Sequence, residues 1–82
     1  MIRQYIATAM NHAKYEMLAD DNSYYGEISL CPGVYANKDN LEECRNELEE
    51  ILEEWILFRV YRQLPIPEID GMKVEVRKAQ AA

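Results

Sequence analysis

The chain has 82 residues, of which 15 are acidic and 9 basic, so its formal net charge is −6. This length allows one domain, and a fold of this size buries only about 60–65% of the surface of its unfolded chain, so self-association would add stability. The acidic balance argues against direct contact with nucleic acid and suits a basic protein partner. No apolar run approaches the roughly 20 residues of a membrane helix, so we expect no membrane contact.

The first predicted element is a short helix over residues 2–13. Its apolar side chains recur at spacings of three and four: Ile2, Tyr5, Ile6, Ala9, Met10 and Ala13. A helix of this length is not stable alone in water, so this stripe must pack on the rest of the protein or on a second copy.

Three short strands follow. Residues 14–18 alternate between polar and apolar side chains, residues 20–23 form a polar turn, and residues 24–30 read as a second strand. After the Pro32-Gly33 turn, residues 34–36 are predicted to form a third strand. Because turns this short cannot carry a parallel crossover, we expect an antiparallel sheet.

A long amphipathic helix is the strongest prediction. Asp39 or Asn40 can cap its N-terminus, and Pro65 and Pro67 end it near Arg62. Its apolar stripe comprises Leu41, Cys44, Leu48, Ile51, Leu52, Trp55, Ile56 and Val60.

Alternation from Met72 to Arg77 then predicts a C-terminal strand. The expected fold is therefore α+β: a short N-terminal helix, a three-stranded antiparallel sheet, the long helix packed on that sheet, and a last strand. We treat residues 1–82 as a single domain, with the leading helix at 2–13 and the sheet and helix core at 14–78.

Glutamates crowd the long helix. They are Glu42, Glu43, Glu47, Glu49, Glu50, Glu53 and Glu54. Repulsion between neighbours costs about 0.2–0.5 kcal/mol per pair, whereas burial of each large apolar side chain contributes about 1.5–3 kcal/mol. The helix therefore forms on the sheet, with its glutamates directed to solvent and available to a cationic partner.

Residues 14–70 resemble the HicB family of small antitoxins. The resemblance is carried by Tyr25-Gly26-Glu27-Ile28, Pro32-Gly33-Val34-Tyr35-Ala36, Asn40-Leu41-Glu42-Glu43-Cys44 and Leu64-Pro65-Ile66-Pro67, in that order. It implies a truncated ribonuclease-H-like fold and a protein that neutralises a small basic toxin, the HicA ribonuclease. A cytoplasmic location is expected independently, because the chain has only two cysteines and its N-terminus does not resemble a signal peptide. The residues after Asp70 are too few for the DNA-binding domain that many members carry, so we expect no direct contact with nucleic acid.

The first functional hypothesis is therefore a protein-binding module without catalysis. Glu47, Glu50 and Glu54 are the candidate charged contacts with the toxin, and Tyr25 and Tyr35 are the candidate anchors. The alternative is an orphan structural domain that forms a dimer or tetramer. Leu57, Phe58 and Tyr61 are the candidate interface residues, because they make the helix apolar on a second side after Trp55.

A metal-dependent nuclease is the weaker alternative. It would need several carboxylates around metal ions, and the candidates are Glu16, Asp20, Asp21 and Glu27. We expect these to be ordinary strand and turn carboxylates. Cys44 is expected in the core and Cys31 partly exposed, and no residue pattern calls for a cofactor or a metal.

Overall fold

A computed structural model describes residues 2–74 of the chain. The elements run α1 (Ile2–Met10), β1 (Lys14–Leu18), β2 (Ser23–Glu27), β3 (Tyr35–Lys38) and α2 (Leu41–Tyr61). The strands form one antiparallel sheet in the order β1-β2-β3. The long helix α2 packs on β2 and β3, and α1 packs against α2. The predicted α+β fold is confirmed.

Helix α1 ends at Met10, earlier than the predicted Ala13. The N–H groups of His12 and Ala13 bond to the carbonyls three residues before them, which closes a tight turn and directs the chain into β1. The side chains of Tyr5 and Ala9, on the inner side of this helix, are fully buried. The Tyr5 hydroxyl donates a 2.6 Å hydrogen bond to the carbonyl of Pro67, which fixes α1 to the segment that follows α2.

The sheet has two faces that differ in what covers them. Tyr15, Gly26 and Ala36 form one row across the three strands. A Cβ atom on Gly26 would lie 3.2 Å from Cys44 Sγ of α2, so this row faces the helix. Because side chains alternate along a strand, the rows on either side of it point the other way. We call that opposite side the outer sheet face.

The second and third strands are displaced from their predicted bounds. β2 stops at Glu27 because the N–H of Ile28 bonds to Val34, and the chain then folds into a loop closed by hydrogen bonds at Cys31. That loop buries Ile28, Cys31 and Val34. The expectation that Cys31 is partly exposed is therefore wrong, because the loop folds its thiol into the core.

Helix α2 begins and ends as predicted. The Asn40 side chain accepts a 2.8 Å hydrogen bond from the backbone N–H of Glu43, so Asn40 is the N-cap. Arg62 is the C-cap, and Gln63 adopts a positive φ of 57° as the chain leaves the helix. Cys44, Leu48, Leu52 and Ile56 are fully buried against the sheet and α1. The sequence pattern also predicts Leu41 and Val60 in the buried stripe. Both are exposed instead, because they lie at the two ends of the helix.

The chain turns at Asp70 and Gly71, as predicted, with both residues at positive φ. Beside that turn, Met72 pairs with Ile69 in an isolated bridge, and residues 72–74 are not in a strand. The rest of the predicted last strand lies outside the described residues. Among residues 2–74, no helix is long and apolar enough to cross a membrane.

Candidate functional site

One side of α2 points away from the protein along its whole length. A helix turns about 100° per residue, so the positions opposite its buried stripe recur every three or four residues. We call this line of side chains the outer ridge. It consists of Glu43, Glu47, Glu50, Glu54, Leu57, Phe58 and Tyr61.

The outer ridge changes character along the helix. Its N-terminal part, from Glu43 to Glu54, is carboxylate throughout, and we call it the acidic half. Of its four glutamates only Glu47 is half-buried, and the other three are exposed. The prediction that the helix directs its glutamates to solvent is confirmed, since the remaining glutamates of α2, Glu42, Glu49 and Glu53, are exposed as well.

The C-terminal part of the outer ridge, here the apolar half, consists of Leu57, Phe58 and Tyr61. Their exposed fractions are 61%, 54% and 83%. The residues predicted for toxin binding on α2 and those predicted for self-association thus lie on one continuous surface. The sequence pattern alone does not indicate that these two sets of residues adjoin.

Two arginines lie near the C-terminal end of α2: Arg59 lies within the span of the apolar half, and Arg62 follows it. The guanidinium of Arg59 lies 4.6 Å from the centre of the Trp55 ring, and its Nε atom donates a 2.7 Å hydrogen bond to the carbonyl of Pro65. The guanidinium of Arg62 lies 5.6 Å from the centre of the Phe58 ring. Along the outer ridge, negative charge therefore precedes the apolar half and positive charge follows it.

The two candidate tyrosines occupy a different surface. Tyr25 and Tyr35 stack on the outer sheet face with ring centroids 6.1 Å apart. The Tyr25 hydroxyl donates a 2.9 Å hydrogen bond to Glu27, which raises the pKa of Tyr25 because the bond stabilises the neutral phenol. Since α2 covers the other side of the sheet, the structure does not bring these tyrosines together with Glu47, Glu50 and Glu54.

The carboxylates considered for a metal site are dispersed. Glu16 and Glu27 share the outer sheet face, but Asp21 belongs to the turn before β2. There its Oδ1 atom accepts hydrogen bonds of 2.6 Å from the Ser23 hydroxyl and 3.0 Å from the Ser23 N–H, which lower the pKa of Asp21. Across residues 2–74, no three His, Cys, Asp or Glu side chains gather where they could hold a metal ion.

The potential nucleophiles are structural. Cys31 and Cys44 are free thiols with no exposed surface, and burial raises the pKa of both. His12 lies just beyond α1, and its Nε2 atom is 2.8 Å from a carboxylate oxygen of Asp70. Residues this far apart in sequence offer no local pattern, so the pairing could not be predicted.

A groove of about 460 Å³ lies between the two helices. Its charged lining residues are Arg3, Arg45, Glu49 and Glu53, which balance one another in formal charge. The groove therefore offers no concentrated charge of one sign, unlike the acidic half of the outer ridge.

Comparison with known proteins identifies a family and a similar solved structure. A sequence model described as UPF0150-like matches residues 4–67. The crystal structure of TTHA0281 from Thermus thermophilus has a TM-score of 0.86 and 38% sequence identity, over 94% of this chain and 95% of that chain. No curated protein matches the chain. At this identity the likeness extends to sequence as well as fold.

Proposed function

This chain belongs to the UPF0150-like family, and from that premise we propose that it is a HicB-type antitoxin module. In this proposal it binds a small basic protein, a ribonuclease of the HicA class, and blocks its activity. The observation that carries the proposal is the exposed acidic half of the outer ridge. Within residues 2–74, no Lys, Arg or His side chain forms an ion pair with any of its glutamates, so their charge is available to a partner.

A rigid row of like charges suits recognition of a basic protein. The glutamates of one helical face produce a negative potential that reaches about one Debye length, roughly 8 Å at physiological salt. Such a potential attracts a basic partner, speeds its association and disfavours acidic competitors. The same glutamates repel one another within α2, which is a cost to folding that a binding role would account for.

The tyrosine pair is not required by this contact. Because Tyr25 and Tyr35 lie beyond the sheet from the outer ridge, a small partner docked on α2 would leave them uncovered. We therefore assign the electrostatic contact to Glu47, Glu50 and Glu54. The outer sheet face is the competing surface that the experiment below distinguishes.

The thiol chemistry suits the cytoplasm, where a ribonuclease toxin meets its RNA. Cys31 and Cys44 are both free and buried. Cytoplasmic proteins keep thiols reduced, whereas small secreted domains are rich in disulfides. We propose that the module acts in that compartment.

The test is inhibition of a small basic ribonuclease, which the proposal expects to be encoded beside this chain. The purified ribonuclease is incubated with RNA and increasing amounts of wild-type chain or of the ridge variant E47Q/E50Q/E54Q. A control variant, E16Q/E27Q/E68Q, removes the same charge from positions off the outer ridge. We expect the wild type and the control to inhibit at similar concentrations, and the ridge variant to need about tenfold more protein or beyond.

One result would contradict the antitoxin role, and another would contradict only the proposed binding surface. If the wild type neither binds nor inhibits the neighbouring protein, the antitoxin role fails. If the ridge variant inhibits like the wild type while Y25A/Y35A does not, the function survives but the binding surface is the outer sheet face.

A further inference from the structure

We propose that the apolar half of the outer ridge binds a second copy of this chain, through an antiparallel pairing of the two α2 helices about a two-fold axis at Phe58. The inference does not rest on the antitoxin role, because it requires no other protein; the two proposed surfaces share only Glu54.

The apolar half is a contiguous patch. Leu57, Phe58 and Tyr61 are each more than half exposed, and they are neighbours on the surface of the helix. Single exposed apolar residues are ordinary, but adjoining large ones mark a surface that another molecule covers. In a domain this small, covering them also supplements a limited core.

The charges around Phe58 indicate that this molecule is a second copy. Glu54 lies one turn before Phe58 and Arg62 one turn after it, with the Arg62 guanidinium over the Phe58 ring. A two-fold axis through Phe58, perpendicular to the helix, exchanges these two positions. Glu54 of each copy then faces Arg62 of the other. The surface is thus self-complementary, as a two-fold interface requires.

The same charges disfavour a parallel pairing. Parallel helices would place the acidic half of one copy against the acidic half of the other, with repulsion at every turn. In the antiparallel pairing at Phe58, residues before Glu54 extend past the end of the partner helix. Apart from Glu54, the acidic halves therefore lie at opposite ends of the dimer and stay exposed.

The pairing is expected to be concentration-dependent. Three large side chains from each copy, together with two charged pairs, make a contact smaller than those of obligate dimers. We expect monomers of 9.6 kDa in dilute solution and a dimer of twice that mass as the concentration rises.

Sedimentation equilibrium over a range of concentrations tests the interface. Phe58→Glu and Tyr61→Glu should each stay monomeric where the wild type is dimeric. Met17→Glu is the matched control, because Met17 is 58% exposed and lies on β1, away from the outer ridge. It should dimerise like the wild type. A wild type that is monomeric up to about 1 mM, where contacts of only ~4 kcal/mol would still register, or a dimer unaffected by both ridge changes, overturns the proposal.

Charge exchange tests the orientation. Glu54→Arg and Arg62→Glu should each weaken the dimer several-fold, because each places like charges opposite one another at both ends. The double variant E54R/R62E should recover wild-type association. If the effects of the two changes simply add, the helices do not pair antiparallel at Phe58, and the proposed geometry is refuted. Circular dichroism of each variant checks that its helix content is unchanged.

Discussion

Cys44 of α2 meets β2 at Gly26, where its Sγ atom lies 3.2 Å from the position that a glycine Cβ atom would occupy. The Tyr15 ring approaches the same position to 2.8 Å. The helix therefore sits on the sheet in one fixed orientation, with its buried stripe toward Gly26 and its outer ridge toward solvent. The binding surface depends on this contact.

Replacing Gly26 with alanine should destabilise the fold. The added methyl group would collide with the Tyr15 ring and the Cys44 thiol, and overpacking of this kind costs about 1–3 kcal/mol. Urea denaturation of Gly26→Ala against wild type measures the loss in free energy of unfolding. Ser29→Ala, an exposed change in the same stretch, should leave it unaltered, and equal stability of all three proteins would show that α2 does not press on β2 here.

Removing the Tyr5 hydroxyl should loosen the anchoring of α1. Tyr5→Phe keeps the buried ring but leaves the carbonyl of Pro67 without its 2.6 Å hydrogen bond, at a cost of about 1–2 kcal/mol. Tyr35→Phe is the control, because Tyr35 is 57% exposed and removal of its hydroxyl should change the stability negligibly. The unfolding temperature Tm of each variant is compared with that of the wild type. Equal Tm values for the two variants would contradict the hydrogen bond from Tyr5 to Pro67.

Loss of the N-cap should destabilise α2 from its start. In Asn40→Ala the N–H of Glu43 loses its side-chain acceptor, which costs about 1 kcal/mol. Asn46→Ala, in the exposed middle of the helix, should be neutral or slightly stabilising because alanine is the better helix former. The denaturation midpoint of Asn40→Ala should therefore fall, while that of Asn46→Ala stays the same or rises slightly. Equal shifts of both midpoints would argue against capping by Asn40.

Stability should depend on pH through Asp21. Hydrogen bonds from Ser23 lower the pKa of Asp21 below its ordinary value of about 3.9. A depressed folded-state pKa means that the stabilisation is present above the unfolded-state value and is lost as pH falls through the folded pKa. Asp21→Asn should be less stable than wild type near neutral pH, and the gap should close in acid. Ser23→Ala removes the 2.6 Å hydroxyl donor to Asp21 and should reduce this pH-dependent gap; if the gap is unchanged, the effect is general charge and not the Ser23 contact.

Much of this architecture follows from periodicity. The helical repeat of Cys44, Leu48, Leu52 and Ile56 predicted both the buried side of α2 and the exposure of its glutamates, since burial of a stripe fixes what lies opposite. Asn40 was identifiable because capping is a local interaction. Such local signals place elements without knowledge of what they pack against.

Long-range relationships were less accessible. That Tyr25 and Tyr35 lie on the side of the sheet away from α2 depends on which face the helix covers, and strand alternation alone does not choose a face. Cys31 is buried by a loop whose path depends on contacts with the core. The continuity of the acidic and apolar halves emerges only when residues 43–61 are placed on one straight helix.

The most direct test of the central claim, that the acidic half of the outer ridge binds a basic protein, is the salt dependence of its affinity. Calorimetric titration of the neighbouring basic protein into wild-type chain and into E47Q/E50Q/E54Q, from roughly 50 mM to 500 mM salt, spans weak to strong screening. The account predicts that the wild-type Kd rises steeply with salt and that the ridge variant is weaker with a shallower slope. Parallel curves of equal affinity would contradict it.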